Sequence, residues 1–371
     1  MVNFLLQKTP KEDYLFFPSL VSMKIEDDGL TILTRRNFEK ENQNLEDSSI
    51  TWEKYHIDNS HPQTSHIIVP NWMGVFHEGV FDWLDSHGVT LSFMHKDFSL
   101  GNSFIPRPMK SNNISLKRLQ YGMTWERSYP FLKKILERKI SGESENLSNM
   151  GLESVATRLI TVMKSLPVDT SLASQLEVMS IEGLASGLYW NELKTFKIHW
   201  NLDKGEKLPT NRFATVGERA GLQGRNGRYA ISPFHAILNY VGGLAITRLR
   251  IAVKGMGLDG DVGFFHADDE YRESLLYDLV EGLRPIYEGK LLNMYIYHNE
   301  NIPKGNRKRR GHGMTIPGLR LKDFTYFRDT GRVVLGKDLR VNLLQIFDGD
   351  LMLRSKDVVA EYRGYLENEE H

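Results

Sequence analysis

The apolar residues of this chain change their spacing once, at about residue 105, and that change limits what the chain can fold into. Before it, the apolar stretches are short and rich in β-branched and aromatic residues: GLTILTR (29–35), SITWEKYHI (49–57), SHIIVP (65–70) and VTLSFM (89–94). Turn signals such as Asp28-Gly29 and His87-Gly88 stand between them. This pattern predicts several short strands and one short helix over 76–87. After the change, apolar residues recur at three- and four-residue steps in 123–140, in 149–166, around Glu182 (MSIEGLASGLYWNELKTF) and in 232–257. Such steps line up on one helical face. Ser232 before Pro233 supplies an N-cap and a first-turn proline, and Gly255-Met256-Gly257 a stop. The tail from about 316 adds a strand-like GRVVLG (331–336) and a short amphipathic helix, DLRVNLLQIF.

The expected fold is therefore α+β. A β-rich, sandwich-like unit over 1–104 precedes a linker over 105–114 and a larger α-helical unit over 115–371. The two prolines and polar residues of GNSFIPRPMKS (101–111) announce the linker. At 371 residues the chain is long enough for two cores. It has no cysteine, which excludes disulfides, thiolate-bound zinc and a thiol nucleophile. No apolar run of about 20 residues is expected to cross a membrane. The N-terminus MVNFLLQKTPKEDY lacks the pattern of a signal peptide. A cytoplasmic location is the expectation.

Net charge is zero, but unevenly placed. Residues 1–105 hold 8 Lys/Arg against 15 Asp/Glu, and the rest of the chain 39 against 32. Residues 301–340 alone carry 11 Lys/Arg and 3 Asp. Lys304, Arg307, Lys308, Arg309 and Arg310 lie among Gly, Pro and Asn, as in an exposed loop. Such a loop suits a phosphate backbone, or is simply a solvated surface. A second loop, 203–230, is rich in glycine and carries Arg212, Arg219, Arg225 and Arg228. At that length it is expected to be mobile or ordered by a ligand.

One stretch concentrates the chemistry. DVGFFHADDEYRESLLYDLVEGLRP (261–285) sets His266 ahead of an amphipathic helix carrying Asp278 and Glu281. Residues three apart on a helix share a face. A histidine and two acids in a chain without cysteine suggest a hard divalent metal site. Glu182, far upstream among apolar neighbours that are expected to be buried (Ile181, Leu184, Ala185, Leu188 and Tyr189), is a fourth acid. Plainer fates exist for each. Glu182 can face solvent or pair with an arginine, His266 can bond backbone, and Glu281 can pair with Arg284 three residues on. Asp268, Asp269 and Glu270 read as first-turn acids beside the helix dipole.

As a set, the Glu182 helix (IEGLASGLYW), SPFHAILNYVGGLAITRL, the Gly-Leu-Asp before GFFH, and SLLYDLVEGLRP are specific. Together they resemble the CRISPR spacer-acquisition integrase, the metal-dependent DNA endonuclease of CRISPR adaptation modules. These motifs span about 176–290. The resemblance implies that Glu182, His266 and Glu281 bind Mg²⁺ or Mn²⁺, with Asp278 an accessory catalytic carboxylate that orients the site or holds a second metal. It places Asn239 and Tyr240, with His235 where the family often has asparagine, on a DNA-facing helix. Arg284 and Arg307, Lys308, Arg309 and Arg310 are further candidate DNA contacts, on charge alone.

The resemblance also implies what the chain does and what it works with. The activity is insertion of spacer DNA into a CRISPR array, for antiviral defence, by 3′-hydroxyl attack on a phosphodiester, with nicking of DNA by the same site. The partners are double-stranded DNA (spacer precursor and repeat), a second copy of the chain bound through the β-rich unit, and a small companion adaptation protein in a heterohexamer. A transposon-encoded integrase with the same site is the alternative, although its added C-terminal helix-turn-helix is not expected in so short a tail. The other alternative is a catalytically silent DNA-binding scaffold, against which all four acidic and histidine positions are metal-competent.

Overall fold

The computed structural model describes residues 4–8, 14–17, 21–26, 28–35, 52–59, 66–70, 74–94, 100–104, 106, 114–168, 174–218, 230–266, 273–296 and 318–368. The chain divides into two compact units, 1–112 and 113–371. The basic residues Lys304, Arg307, Lys308, Arg309 and Arg310, the arginines Arg219, Arg225 and Arg228, and the acids Asp268, Asp269 and Glu270 lie outside the described residues.

The first unit comprises β1 (Phe4–Lys8), β2 (Tyr14–Phe16), β3 (Val21–Glu26), β4 (Gly29–Arg35), β5 (Trp52–Asp58), β6 (His66–Pro70), β7 (Gly74–Phe76), α1 (Val80–Ser86), β8 (Thr90–Met94) and β9 (Leu100–Phe104). Alternating apolar residues let one face of each sheet be buried. The strands form a five-stranded sheet, β1-β5-β4-β3-β7, and a four-stranded one, β2-β6-β8-β9. Met23, Leu30 and Ile32 of the first sheet, Ile67, Val69 and Leu91 of the second and Val80, Trp83 and Leu84 of α1 share one core. Two expectations shift. The helix expected over 76–87 starts only at Val80, because 74–76 pair with β3 as a strand. The start of the expected linker motif (101–111) is strand β9, paired antiparallel with β8.

The second unit is mostly helical: α2 (Ile114–Tyr121), α3 (Trp125–Asn149), α4 (Glu153–Met163), α5 (Gln175–Leu193), α6 (Pro233–Gly255), α7 (Ser274–Val280), α8 (Arg284–Tyr295), the short hairpin β10 (Phe324–Tyr326) and β11 (Val333–Leu335), and α9 (Lys337–Asn368). Ser232 caps α6 by accepting the His235 N–H, Pro233 occupies its first turn, and Gly257 adopts φ 78° just beyond its end. By length and composition α6 does reach the size of a membrane span, contrary to expectation, but two thirds of its apolar window is buried inside the fold. It is the central core helix of this unit. The short C-terminal helix expected over DLRVNLLQIF is instead the 32-residue α9, whose Leu343, Phe347, Leu351, Val358, Tyr362 and Leu366 continue the apolar stripe.

α6 and α9 are also joined by a buried ion pair. Arg248 is fully buried, and its Nε donates to Asp348 Oδ1 at 2.7 Å, with Nη2 on the same oxygen. Burial outweighs the guanidinium and leaves the Asp348 carboxyl above its ordinary value. Removing the acid deletes a charge-assisted bond between the two helices. Asp348→Ala is therefore expected to destabilise the chain by about 1.5–3 kcal/mol in urea unfolding. A loss below about 1 kcal/mol shows that the pair is not what fastens α9 to α6.

Candidate active site

Glu182 sits near the middle of α5, a helix begun by Ser174, whose hydroxyl accepts the Glu177 N–H at 3.2 Å. Three neighbours depart from the sequence reading: Leu184 is exposed and Ile181 and Leu188 are half-buried, while Ala185 and Tyr189 are buried as expected. Glu182 is half-buried, with 23 % of its side chain exposed, and its ion partner is a lysine, not an arginine. Its Oε1 accepts a hydrogen bond from Lys139 Nζ. Lys139 lies on α3 with only 3 % of its side chain exposed. The same ammonium lies 2.6 Å from Glu281 Oε2, an ion pair rather than an aligned hydrogen bond. Two carboxylates from separate elements thus converge on one buried cation.

Close helix packing makes this convergence possible. A Cβ on Gly142 of α3 would stand 2.6 Å from Pro285 Cβ, and one on Gly289 of α8 would stand 2.1 Å from Asn146 Oδ1. Asn146 donates to the Pro285 carbonyl at 2.8 Å. Only glycine permits these approaches. They bring Lys139 and Glu143 of α3 against the Glu281–Glu288 stretch. Glu281 caps the C-terminus of α7, and a turn over 281–283 separates it from α8, which opens with Arg284-Pro285. Arg284 Nη2 pairs with Glu281 Oε1 at 3.1 Å, so Arg284 faces a carboxylate inside the fold.

Electrostatics follow the geometry. Burial pulls the Lys139 ammonium down, but Glu281, Glu143 and Glu182 outweigh it and hold it above its ordinary value. Burial likewise opposes Glu281, and Lys139, Arg284 and then His266 bring its carboxyl below the usual range. Glu143, one turn beyond Lys139, is pushed up to about 8 by burial, against the pull of Lys139 and with the help of Glu288, Glu281 and Glu182.

Asp278 holds His266 in place. Its fully buried carboxylate accepts backbone N–H bonds from Phe264 (2.6 Å), Phe265 (2.9 Å) and His266 (3.0 Å) and a 2.6 Å bond from His266 Nδ1. A carboxylate offers about four acceptor positions, and here four donors fill them. All four acceptor positions of Asp278 are thus engaged within the fold. A Cβ on Gly263 would meet Asp278 Oδ2 at 2.6 Å, so the loop needs glycine there. Phe264 packs on Phe131 and Tyr362, and Gln175 of α5 donates to the Phe265 carbonyl at 2.9 Å. With Nδ1 donating to Asp278, a neutral His266 presents Nε2 as its free lone pair.

Asn239 and Tyr240 lie on α6, both half-buried. The Tyr240 hydroxyl donates to the Arg340 carbonyl at 3.2 Å, and burial raises its pKa. It is engaged within the fold. Sequence reasoning missed Lys139 and Glu143. Both are polar residues on an amphipathic helix, where a solvated face is the ordinary reading, and only their three- and four-residue spacing from Ile135, Leu136 and Ile140 hinted at burial.

Among the described residues, one group of three metal-competent side chains closes to within 4.8 Å, and it is a different one: Glu26, Asp28 and His56. Lys24, Thr31 and Lys54 already hold Glu26, drawing its carboxyl to about 2, and Asp28 is exposed. A divalent ion there would compete with two ammonium groups. At the expected site Glu182, His266 and Glu281 stand further apart, with the Lys139 ammonium between the two acids.

Residues 58–316 match the family model of CRISPR associated protein Cas1. Among curated relatives, the chain is 26% identical over 218 residues to CRISPR-associated endonuclease Cas1 2 of Rhodospirillum rubrum, covering 56% of this chain and 58% of that one. It is 31% identical over 175 residues to CRISPR-associated endonuclease Cas1 2 of Pyrobaculum aerophilum, covering 46% and 50%. The matches span about half the length of these relatives. Among solved structures, a Cas1 protein from Thermotoga maritima superposes with TM-score 0.63 at 15% identity, over 95% of this chain and 96% of that one. A casposase bound to its integration product superposes with TM-score 0.51 at 20% identity, over 96% of each. At these identities the structural likeness is one of fold.

The elevated Glu143 carboxyl yields a pH prediction. Unfolded, it ionises near 4.5; folded, near 8. Between those values the folded chain keeps a proton that the unfolded chain has lost, so this residue's contribution to stability falls as pH rises through the window. Glu143→Gln does not titrate. In EDTA its urea midpoint is expected to gain on the wild type from pH 5 to pH 8. A difference that stays constant across that range rules out the elevated carboxyl.

Proposed function

The chain belongs to the Cas1 family of CRISPR-associated proteins, whose model it matches over residues 58–316, and from that membership we propose that it is a divalent-metal-dependent DNA endonuclease and integrase. The observation that carries this reading is the convergence of Glu182 and Glu281 on one buried cation, with His266 among the charges that act on Glu281. Two carboxylates and an imidazole form a hard, oxygen-rich donor set that fits Mg²⁺ or Mn²⁺. Glu182, Glu281 and His266 Nε2 would hold the ion. When bound, it polarises a phosphoryl oxygen and lowers the pKa of a hydroxyl nucleophile.

The chain's own residues then have distinct tasks. Asp278 fixes the His266 ring and tautomer through its bond to Nδ1, and the loop that carries the ring through three backbone N–H bonds. Arg284 holds one oxygen of Glu281 and aims the other. The reaction is a transesterification: the 3′-oxygen of an incoming DNA fragment forms a bond to phosphorus at the CRISPR repeat boundary. The bond from phosphorus to the departing 3′-oxygen breaks, and the proton lost by the attacking hydroxyl is matched by one gained on the leaving group. With water as nucleophile the same site nicks DNA.

The proposed assembly is a homodimer through the first unit, whose acidic balance suits a protein-facing role. Two such dimers flank a companion adaptation protein in a heterohexamer on double-stranded DNA. A fold neighbour solved as a Cas6-RT-Cas1–Cas2 complex supports that kind of partner. Action on cellular DNA and the absence of cysteine suit the cytoplasm. A second reading, an integrase acting outside a CRISPR array, draws on the fold shared with the casposase.

Supercoiled plasmid bearing a repeat array, short duplexes with 3′-hydroxyl ends and Mn²⁺, with the companion protein added, provide the test. The expected product is relaxed plasmid joined to the duplex, abolished by EDTA and reduced by about 100-fold or more in Glu182→Gln and His266→Ala. Asp278→Asn is expected to lose about 10–100-fold through the ring it orients. Joining that survives in EDTA, or in both ligand variants, sinks the metal reading.

A further inference from the structure

Lys139 is not one of the residues the proposed reaction uses, yet it occupies the middle of the site. Its ammonium hydrogen-bonds Glu182 and lies 2.6 Å from Glu281, the two carboxylates assigned to the metal. Arg284 holds the outer oxygen of Glu281. Two fixed cations thus balance two fixed anions. A divalent ion that joined them with Lys139 in place would meet an ammonium at contact distance inside a buried site, where charges are poorly screened.

The ammonium also has somewhere to go. Glu143 is four residues along α3, on the same face and one turn away. It is buried, and among the described residues its Oε2 has no hydrogen-bond partner. A lysine side chain has enough rotatable bonds to exchange between neighbours one turn apart without moving its helix. Gly142, packed on Pro285, and Asn146, packed on Gly289, hold α3 in place on either side of Glu143.

We propose that Lys139 is an exchangeable resident counter-ion. It holds Glu182 and Glu281 together while no metal is bound, and divalent-metal binding displaces its ammonium to Glu143. Lys139 is then a positioning residue that sets metal affinity: it preorganises the two carboxylates but must be displaced before they coordinate. This rests on the metal reading above and adds a competitor to it.

The test is Mn²⁺ binding to the purified full chain, followed by titration calorimetry and by the paramagnetic resonance of free Mn²⁺, without DNA. Lys139→Met removes the competing charge and is expected to tighten Mn²⁺ binding by about ten-fold or more, with a larger Mn²⁺-induced rise in Tm than wild type. Lys139→Arg keeps the charge and is expected to stay near wild type. Glu143→Gln removes the acceptor but keeps Lys139, and is expected to bind Mn²⁺ about ten-fold more weakly. It carries the test alone if Lys139→Met does not fold. Affinity unchanged or weakened in folded Lys139→Met, or unchanged in Glu143→Gln, overturns the inference. If the wild type binds Mn²⁺ in a manner lost in Glu182→Gln, such a result leaves the metal site standing and removes only the role of Lys139. If the wild type binds no Mn²⁺ through Glu182, both fall together.

Discussion

An ammonium moved from water into a protein interior forfeits hydration worth several kcal/mol and needs counter-charges in good geometry to offset the loss. Lys139 is buried in α3, so the helices around it are obliged to present carboxylates. α5 supplies Glu182, and the turn after α7 supplies Glu281. This requirement couples three elements that are remote in sequence. It explains the glycines at the α3–α8 contact, since a wider interhelical gap would leave Lys139 short of one partner. The constraint is reciprocal: without Lys139, the buried Glu281 and the half-buried Glu182 would repel each other in the same space.

The second fixed point is the Asp278 carboxylate. Three backbone N–H groups and one ring nitrogen converge on it, which is close to saturation for a carboxylate. The loop 263–266 is therefore wound around an anion and not anchored by its own secondary structure. Phe264 and Phe265 close it from the apolar side. A histidine held this way keeps one tautomer and one ring orientation, which is what a metal-binding or phosphate-facing imidazole needs. Asp278 and Glu281 share a helical turn yet serve opposite purposes: one shapes the loop, the other faces the site.

Much of this was legible in the sequence because periodicity reports burial. GLTILTR coincides with β4, and SHIIVP and VTLSFM begin only one residue ahead of β6 and β8. Ser232-Pro233 and Gly257 bound α6 as their chemistry requires. The short α1 was overextended because Gly74–Phe76 pair with β3, a long-range choice that local pattern does not carry. α9 was cut short because its stripe is carried on past Phe347 by residues spaced across charged neighbours. At the site, Glu182 and Glu281 could be singled out as acids on apolar helices, whereas Lys139, the cation on which they meet, could not. A lysine's burial depends on which acids other helices bring to it, and that is a tertiary fact.

The glutamate at position 281 illustrates how such tertiary facts select side chains. Its two oxygens are divided, one toward Arg284 at 3.1 Å and one toward Lys139 at 2.6 Å. Arg284 lies three residues ahead at the start of α8, and Lys139 lies on a different helix, so the carboxylate must bridge two cations in different directions. An aspartate starts from the same backbone with an arm one methylene shorter. To reach Lys139 it would need α3 and the α7–α8 turn to close further, and the contact of Gly142 with Pro285 already leaves no room for an added methyl group. With that backbone spacing fixed, the longer acid is the one that can hold both cations, and so keep one oxygen directed at the centre of the site.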